Sequence, residues 1–325
     1  MRNPPLHSLA HTARTGLLIA LAGCACAAEP SVSPAPSLSV PGADGWLFLD
    51  KELRHLAAGK FWADPGGPPV AGDPLPAILD FKRQLDSVGV DLLVVPVPAK
   101  ATIHPEALPP PGIPDPGATD REFFKVLGEQ GVNVLDLTDS FRAARDGGRI
   151  YCQQDSHWAP DGIRLAAKAI ADRVRDLPWV KAIPKVPLTY QVLPVSMTGD
   201  LAPPGAAPEP LDARFITADG QTVPPSKSSP IILLGDSHNL VFHAGGDMHA
   251  AGAGLPDQLA FELGFPVDVV AVRGSGATPA RRNLARRKDN LAGRHLVVWC
   301  FSVREFTEGQ GWSKVPVVRE SAPPG

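Results

Sequence analysis

Two short segments carry side chains that could work together on one reaction. Gly235-Asp236-Ser237 follows the aliphatic run Ile231-Ile232-Leu233-Leu234. A serine there leaves the end of a buried strand at a sharp turn, close to the free N–H groups of a following helix, where a nucleophile is useful. The same residues would serve equally as a cap for that helix. Asp155-Ser156-His157-Trp158 lies in a loop ahead of a strong helical pattern. In an extended segment residues two apart face the same way, so Asp155 and His157 can reach one site. A serine hydroxyl needs a base to take its proton, and that base needs an acceptor to hold its tautomer and stabilise the imidazolium. His157 and Asp155 fit those two roles with Ser237 as nucleophile, although an N-cap aspartate beside a surface histidine would look the same.

Such residues act only if a framework brings them together, and the chain alternates in the way that builds one. Apolar runs at 90–95, 132–137, 231–234, 267–272 and 295–300 predict buried strands. Helical spacing predicts helices over 75–87, 121–130, 161–177, 255–263 and 278–291. The 161–177 segment is the strongest: Ile163, Ala166, Ala167, Ile170, Val174 and Leu177 recur at three- and four-residue steps after Pro160. Short apolar strands alternating with helices imply an α/β fold, a three-layer α/β/α sandwich with a mostly parallel sheet of about five strands. Sheets of this kind place their sites at the carboxyl ends of the strands. A Pro-rich stretch at 178–229 divides the two halves and has too few periodic apolar residues for a core of its own, so it reads as an excursion.

With 37 prolines and 31 glycines, about a fifth of the chain is one or the other, against roughly 12% in average usage. Because 44% of the residues are hydrophobic, the excess means long loops rather than disorder or a collagen-like repeat. A formal charge of −3 gives no reason to expect a nucleic acid partner.

The first residues read as an address. Arg2 and Arg14, the apolar run Gly16–Ala22 and the small residues after it have the layout of a secretory signal over 1–23, too short to span a bilayer. Leu21-Ala22-Gly23-Cys24 is similar to a bacterial lipobox, which would lipidate Cys24 and anchor the protein to a membrane. Cleavage after Ala27 or Ala28 is the alternative. Either route leads out of the cytoplasm, most simply to a periplasm, with 24–41 as a flexible tether and 42–325 as the catalytic domain. An oxidising compartment permits a disulfide between Cys152 and Cys300, both next to site-bearing loops; two buried free thiols are the other option. No Cys/His pair has zinc-ligand spacing, and neither metal nor cofactor is expected.

Gly235-Asp236-Ser237 resembles the first block of the SGNH hydrolase superfamily, and an Asp-x-His-Trp segment ahead of the serine resembles the alginate O-acetyltransferases of the AlgJ/AlgX type. Gly42–Phe48, Val95–Lys100 and Val298–Arg304 fit the same family, so the resemblance runs over about 40–312. It implies Ser237 as nucleophile, His157 as base and Asp155 as its partner. The oxyanion would be met by the Ser237 N–H and by the turn Arg273-Gly274-Ser275-Gly276, although that turn also reads as a plain connection. His238 departs from the family pattern and reads as a helix cap or a substrate contact. Trp158 could stack on a sugar or pack under its loop, and Lys100 and Arg304 could meet an anionic polymer or sit in ion pairs. His243 and His249 read as surface residues. The implied activity is O-acetyl transfer to an exopolysaccharide, with the acyl donor delivered by a membrane-bound O-acyltransferase and with other export proteins as partners. An esterase with the same three residues, acting on carbohydrate or lipid, and a non-catalytic glycan-binding protein are the rivals.

Overall fold

The computed structural model describes residues 38–319, so the signal segment, Cys24 and most of the expected tether lie outside the described residues. The last residues assigned to the tether are already structured. Strand β1 (Ser39–Pro41) pairs antiparallel with β2 (Leu47–Leu49), which runs into helix α1 (Asp50–Ala57). Then come α2 (Leu75–Asp86), β3 (Asp91–Val97), the short α3 (Lys100–Ile103), α4 (Ala118–Glu129), β4 (Asn133–Val134) and α5 (Thr138–Ala144). Helix α6 (Pro160–Val174) and the one-turn α7 (Pro178–Lys181) precede a hairpin of β5 (Thr189–Met197) and β6 (Glu209–Ala218), edged by β7 (Gln221–Thr222). The second half runs β8 (Ile231–Gly235), α8 (Leu255–Leu263), β9 (Asp268–Ala271), α9 (Thr278–Ala285), β10 (Leu296–Ser302) and α10 (Glu305–Glu308).

The five strands expected from their apolar runs form one sheet in the order β4-β3-β10-β8-β9, every neighbouring pair parallel. Because side chains alternate along a strand, each strand feeds two cores. Val95, Val97, Leu233 and Val298 face α6 and α8, where they meet Ile163, Ile170, Leu255 and Leu259. Val94, Leu234, Val297 and Trp299 face the other way, onto Phe81 of α2, Phe123 of α4 and Leu284 of α9. Both faces being covered explains why these strands read as unbroken apolar runs rather than alternating ones.

Three differences from expectation have local causes. Helix α9 ends at Ala285, because Lys288, Asn290 and Leu291 adopt positive φ of 58°, 47° and 58°. No α-helix follows Gly235-Asp236-Ser237 directly: the chain makes a 3₁₀ turn, Ser237–Asn239, bends at Phe242 with φ of 58°, makes a second 3₁₀ turn at Gly246–Met248, and an α-helix begins only at Leu255. The third is the 178–229 stretch, which contains the β5-β6-β7 antiparallel sheet. Strand β6 buries Glu209, Leu211 and Ala213 alternately and packs on α6 and α8, whereas β5 carries Tyr190, Val192 and Leu193 on exposed positions, with Pro194 interrupting its run.

Gly235 ends β8 beside Cys300 of β10, and a Cβ there would lie 1.7 Å from the Cys300 carbonyl oxygen and 2.4 Å from Asn239 Nδ2. The backbones on either side are sheet-bonded and cannot retreat. Gly235→Ala should therefore lower stability by about 2 kcal/mol or more, in the upper range of overpacked sites. Gly128, near the end of α4, has open space where its Cβ would be, so Gly128→Ala should raise stability by about 0.5–1 kcal/mol. Urea midpoints of the two variants are expected to move in opposite directions.

Candidate active site

The turn after β8 is held from several sides. Asp236 Oδ1 accepts the His238 backbone N–H at 2.9 Å and the His238 Nδ1–H at 3.1 Å, and its Oδ2 accepts Ser302 N–H at 2.8 Å from the end of β10. Asn239 Nδ2 donates to the carbonyls of Asp236 (3.1 Å) and Cys300 (2.8 Å). The Ser237 side chain is thus fixed at the carboxyl end of the central strands, buried to 6% exposure.

Across the sheet edge, the loop between α5 and α6 closes on itself through the Tyr151–Trp158 bridge, with Ala159 N–H donating to Ile150 at 2.8 Å. Its tip presents Asp155 and His157. His157 Nε2 lies 2.7 Å from Ser237 Oγ and accepts its proton, while Nδ1–H donates to Asp155 Oδ1 at 2.6 Å. The same oxygen accepts His157 N–H at 2.9 Å. Oδ2 accepts Asp200 N–H and His249 Nε2–H, both at 2.9 Å. Ser237, His157 and Asp155 therefore form one hydrogen-bonded line, able to move a proton from the serine to a ring held in the right tautomer.

Electrostatics favour this charge state. Burial works against an ionised Asp155, but the hydrogen bonds from His157 and His249 outweigh it and hold the carboxyl well below the usual range. Burial likewise opposes the charge on Asp236, which the nearby His238 and its hydrogen bond overcome. Burial pushes His238 down to about 4 in spite of Asp236, so at neutral pH this ring is uncharged, with its proton on Nδ1. Glu305 is pushed up to about 7 by burial and then by Asp236, and it accepts the Ser275 hydroxyl at 3.0 Å.

For the other candidates, most of the open alternatives resolve to the inward one. Lys100 faces no polymer: it is 1% exposed, and its ammonium donates to the carbonyls of Leu47 (2.7 Å), Gln153 (3.5 Å) and Asp155. Burial lowers its affinity for the proton, and nearby Glu52 opposes that. Trp158 offers no stacking face, because it is fully buried and its indole N–H donates to the His238 carbonyl at 3.1 Å. Cys152 and Cys300 are separate buried thiols, the Cys152 Sγ–H turned to the Trp158 carbonyl at 3.6 Å. Burial raises both thiols well above their usual range. Arg304 is partly buried, bonded to Ser302 Oγ at 3.1 Å.

In the glycine-rich turn, Gly274 needs its positive φ of 73°, and Ser275 is spent on Glu305. Gly276 abuts the serine turn: a Cβ there would lie 2.5 Å from Phe301 Cβ and 3.0 Å from Asp236 N.

Two residues read otherwise, or not at all, belong to the site. His249 is no free surface histidine, and Asp200 came unmarked from the Pro-rich stretch. Asp200 accepts Ser156 N–H and Ser156 Oγ–H, both at 2.6 Å, besides donating to Asp155. Gly199 was the available signal: a Cβ there would lie 1.9 Å from the Gln154 carbonyl oxygen, so only glycine lets the two loops meet. Donor atoms of Asp155, His157 and Asp200 lie within 4.8 Å of one another, close enough for a cation, but they are the atoms already engaged in these hydrogen bonds.

Residues 40–303 match the family model described as "SGNH hydrolase-like domain, acetyltransferase AlgX". Among curated proteins the chain is similar to a probable alginate O-acetylase AlgJ of Pseudomonas aeruginosa, 29% identical over 141 residues covering 42% of this chain and 33% of the relative. It is also similar to the alginate biosynthesis protein AlgX of Pseudomonas putida, 31% identical over 117 residues, 32% of this chain and 23% of that protein. The chain thus spans about a quarter to a third of the length of these curated relatives. Two solved structures share the fold. The O-acetyltransferase domain of Pseudomonas putida AlgJ has a TM-score of 0.62 and 24% identity over 82% of this chain and 91% of that one. Pseudomonas aeruginosa AlgX has a TM-score of 0.61 and 19% identity over 82% of this chain and 62% of that one. With most of its length matched and the parallel five-stranded sheet in place, the chain belongs to the AlgX-type SGNH hydrolase-like acetyltransferase domain family.

Proposed function

We propose that this protein is an extracytoplasmic polysaccharide O-acetyltransferase working through an acyl-enzyme on Ser237. The observation that carries the reading is the 2.7 Å contact between Ser237 Oγ and His157 Nε2, with Asp155 2.6 Å behind the ring. His157 takes the hydroxyl proton as Oγ attacks the acetyl carbonyl of the donor. Collapse of the tetrahedral intermediate breaks the bond to the leaving group, which takes that proton from His157. In the second half His157 removes the proton of a sugar hydroxyl, the sugar oxygen attacks the acyl-enzyme, and Ser237 recovers its proton. The developing oxyanion needs fixed donors. The Ser237 N–H at the start of the 3₁₀ turn and the adjoining Arg273–Gly276 turn are the assigned sources, each donor being worth about 2.7–4 kcal/mol in such sites.

The acceptor is assigned as an acidic exopolysaccharide of the alginate kind because the curated relatives carry alginate O-acetylase names. A membrane-bound O-acyltransferase would supply the donor, and other export proteins would hold the polymer. The signal and lipobox at 1–24 would place the enzyme in the periplasm on a lipid anchor.

Ser237→Ala should abolish turnover of para-nitrophenyl acetate and the mass gain of one acetyl group on the protein, while Asp155→Asn should slow turnover by about 10⁴-fold through the wrong tautomer. With an oligosaccharide acceptor present, acetylated sugar should exceed free acetate; release to water as the dominant path would favour an esterase instead. Replacing Cys24 by Ala should move the protein from the membrane to the soluble fraction, and an unchanged distribution would remove the lipid anchor from this reading.

A further inference from the structure

The Asp155 carboxylate receives a donor that the serine–histidine pair does not itself require. His249 Nε2 lies 2.9 Å from Oδ2, and since an ionised carboxylate only accepts, this nitrogen carries a proton and donates. The ring is mostly buried and packs 5.3 Å from the ring of Phe242. Its backbone is unusual. His249 closes the one-turn segment Gly246–Met248 with φ 71° and ψ −55°, in the region that favours glycine. A histidine at a position whose backbone suits glycine, with its ring turned inward onto a buried acid, runs from an observed outlier to a role. Two residues earlier, Asp247 adds a second anchor: it pairs with Arg273, whose Nη2 lies 2.7 Å from Oδ1, at the head of the glycine-rich turn. One turn is thus tied to both the acid and the Gly-rich turn beside Ser237.

We infer that His249 is a positioning residue for this site. Together with the Asp200 N–H on the same oxygen, it holds Oδ2 against rotation of the carboxylate, so that Oδ1 stays on His157 Nδ1 and Nε2 stays aimed at Ser237. The inference rests on the reading of Ser237 as nucleophile and names a fourth side chain on which that reading depends.

Glycine is the informative replacement, because it removes the ring and relieves the backbone together. Full-length His249→Gly should remain folded without urea, the relieved backbone offsetting part of the cost of the donor lost to Asp155, and its kcat on para-nitrophenyl acetate should fall by about 10–100-fold, the scale known for losing an outer partner of a metal-ligating side chain. KM should change little. Labelling of Ser237 by an aryl sulfonyl fluoride should slow in parallel. His249→Gln, whose amide can still donate, should recover part of the rate. Wild-type kcat in His249→Gly, or a glutamine variant no faster than the glycine one, would overturn the inference. The parent reading fails separately: it falls if Ser237→Ala keeps its activity or wild type takes no label, whereas an inactive Ser237→Ala beside a fully active His249→Gly sinks only the role of His249.

Discussion

A carboxylate taken out of water is stable only when its lone pairs are filled, and the site is organised around one such group. Asp155 is 1% exposed and accepts four hydrogen bonds, two on each oxygen, close to the capacity of a carboxylate. Those donors come from three places in the chain: the loop before α6, the turn after β5 and the turn after Gly246–Met248. The backbone oxygen of the same residue accepts from the buried ammonium of Lys100, which also holds Leu47 and Gln153. A positive and a negative charge thus share one residue's surroundings, each desolvated and each compensated by fixed dipoles. Removing one partner would leave a buried charge short of donors or acceptors, so the loops are mutually dependent.

The chain contains the tripeptide Asp-Ser-His twice, at 155–157 and 236–238, and the two copies fold alike locally. In each, aspartate Oδ1 accepts the backbone N–H of the histidine two residues on, at 2.9 Å, together with its Nδ1–H. Their roles diverge through what surrounds them. At 155–157 the ring reaches outward and its free nitrogen meets Ser237. At 236–238 the serine is the outward group, while the histidine is buried against Trp158 and the His157 ring, its centroid 4.8 Å from the latter. One turn presents an imidazole and the other a hydroxyl, from the same three residue types.

The same residue types thus carry different meanings in different surroundings, and only some of the site is written in the sequence. The five core strands and α6 were legible because burial on both sheet faces, or on one helix face, writes a periodic apolar signal. Ser237, His157 and Asp155 were legible because their chemistry restricts residue type. Asp200 was not, since what it gives Asp155 is a backbone N–H that nearly any residue could supply. His249 was hidden by distance: 94 positions separate it from Asp155, and a lone histidine in a loop has no spacing to interpret. Lys100, Trp158 and Cys152 were misread or left open for the opposite reason. Their types suggested ligands and bridges, but burial turned each inward onto backbone carbonyls.

The long Pro- and Gly-rich loops follow from the same constraint. The 178–229 stretch is anchored to the site at two points, Asp200 on Ser156 and Glu209 on the N–H groups of Gln153 (2.9 Å) and Gln154 (3.2 Å). Glu209 is itself paired with Arg149 at 2.8 Å. Together these hold the loop tip that carries Asp155 and His157. Glycine is required where such loops touch, as at Gly199 against Gln154 and at Gly276 against Asp236, because a Cβ would occupy the contact itself. A parallel sheet can fix Ser237 at the end of β8, but it cannot reach across to fix His157, which stands on a loop. That second task falls to the excursion, and the geometry of the His157–Ser237 contact is therefore a property of loop-to-loop contacts more than of the core.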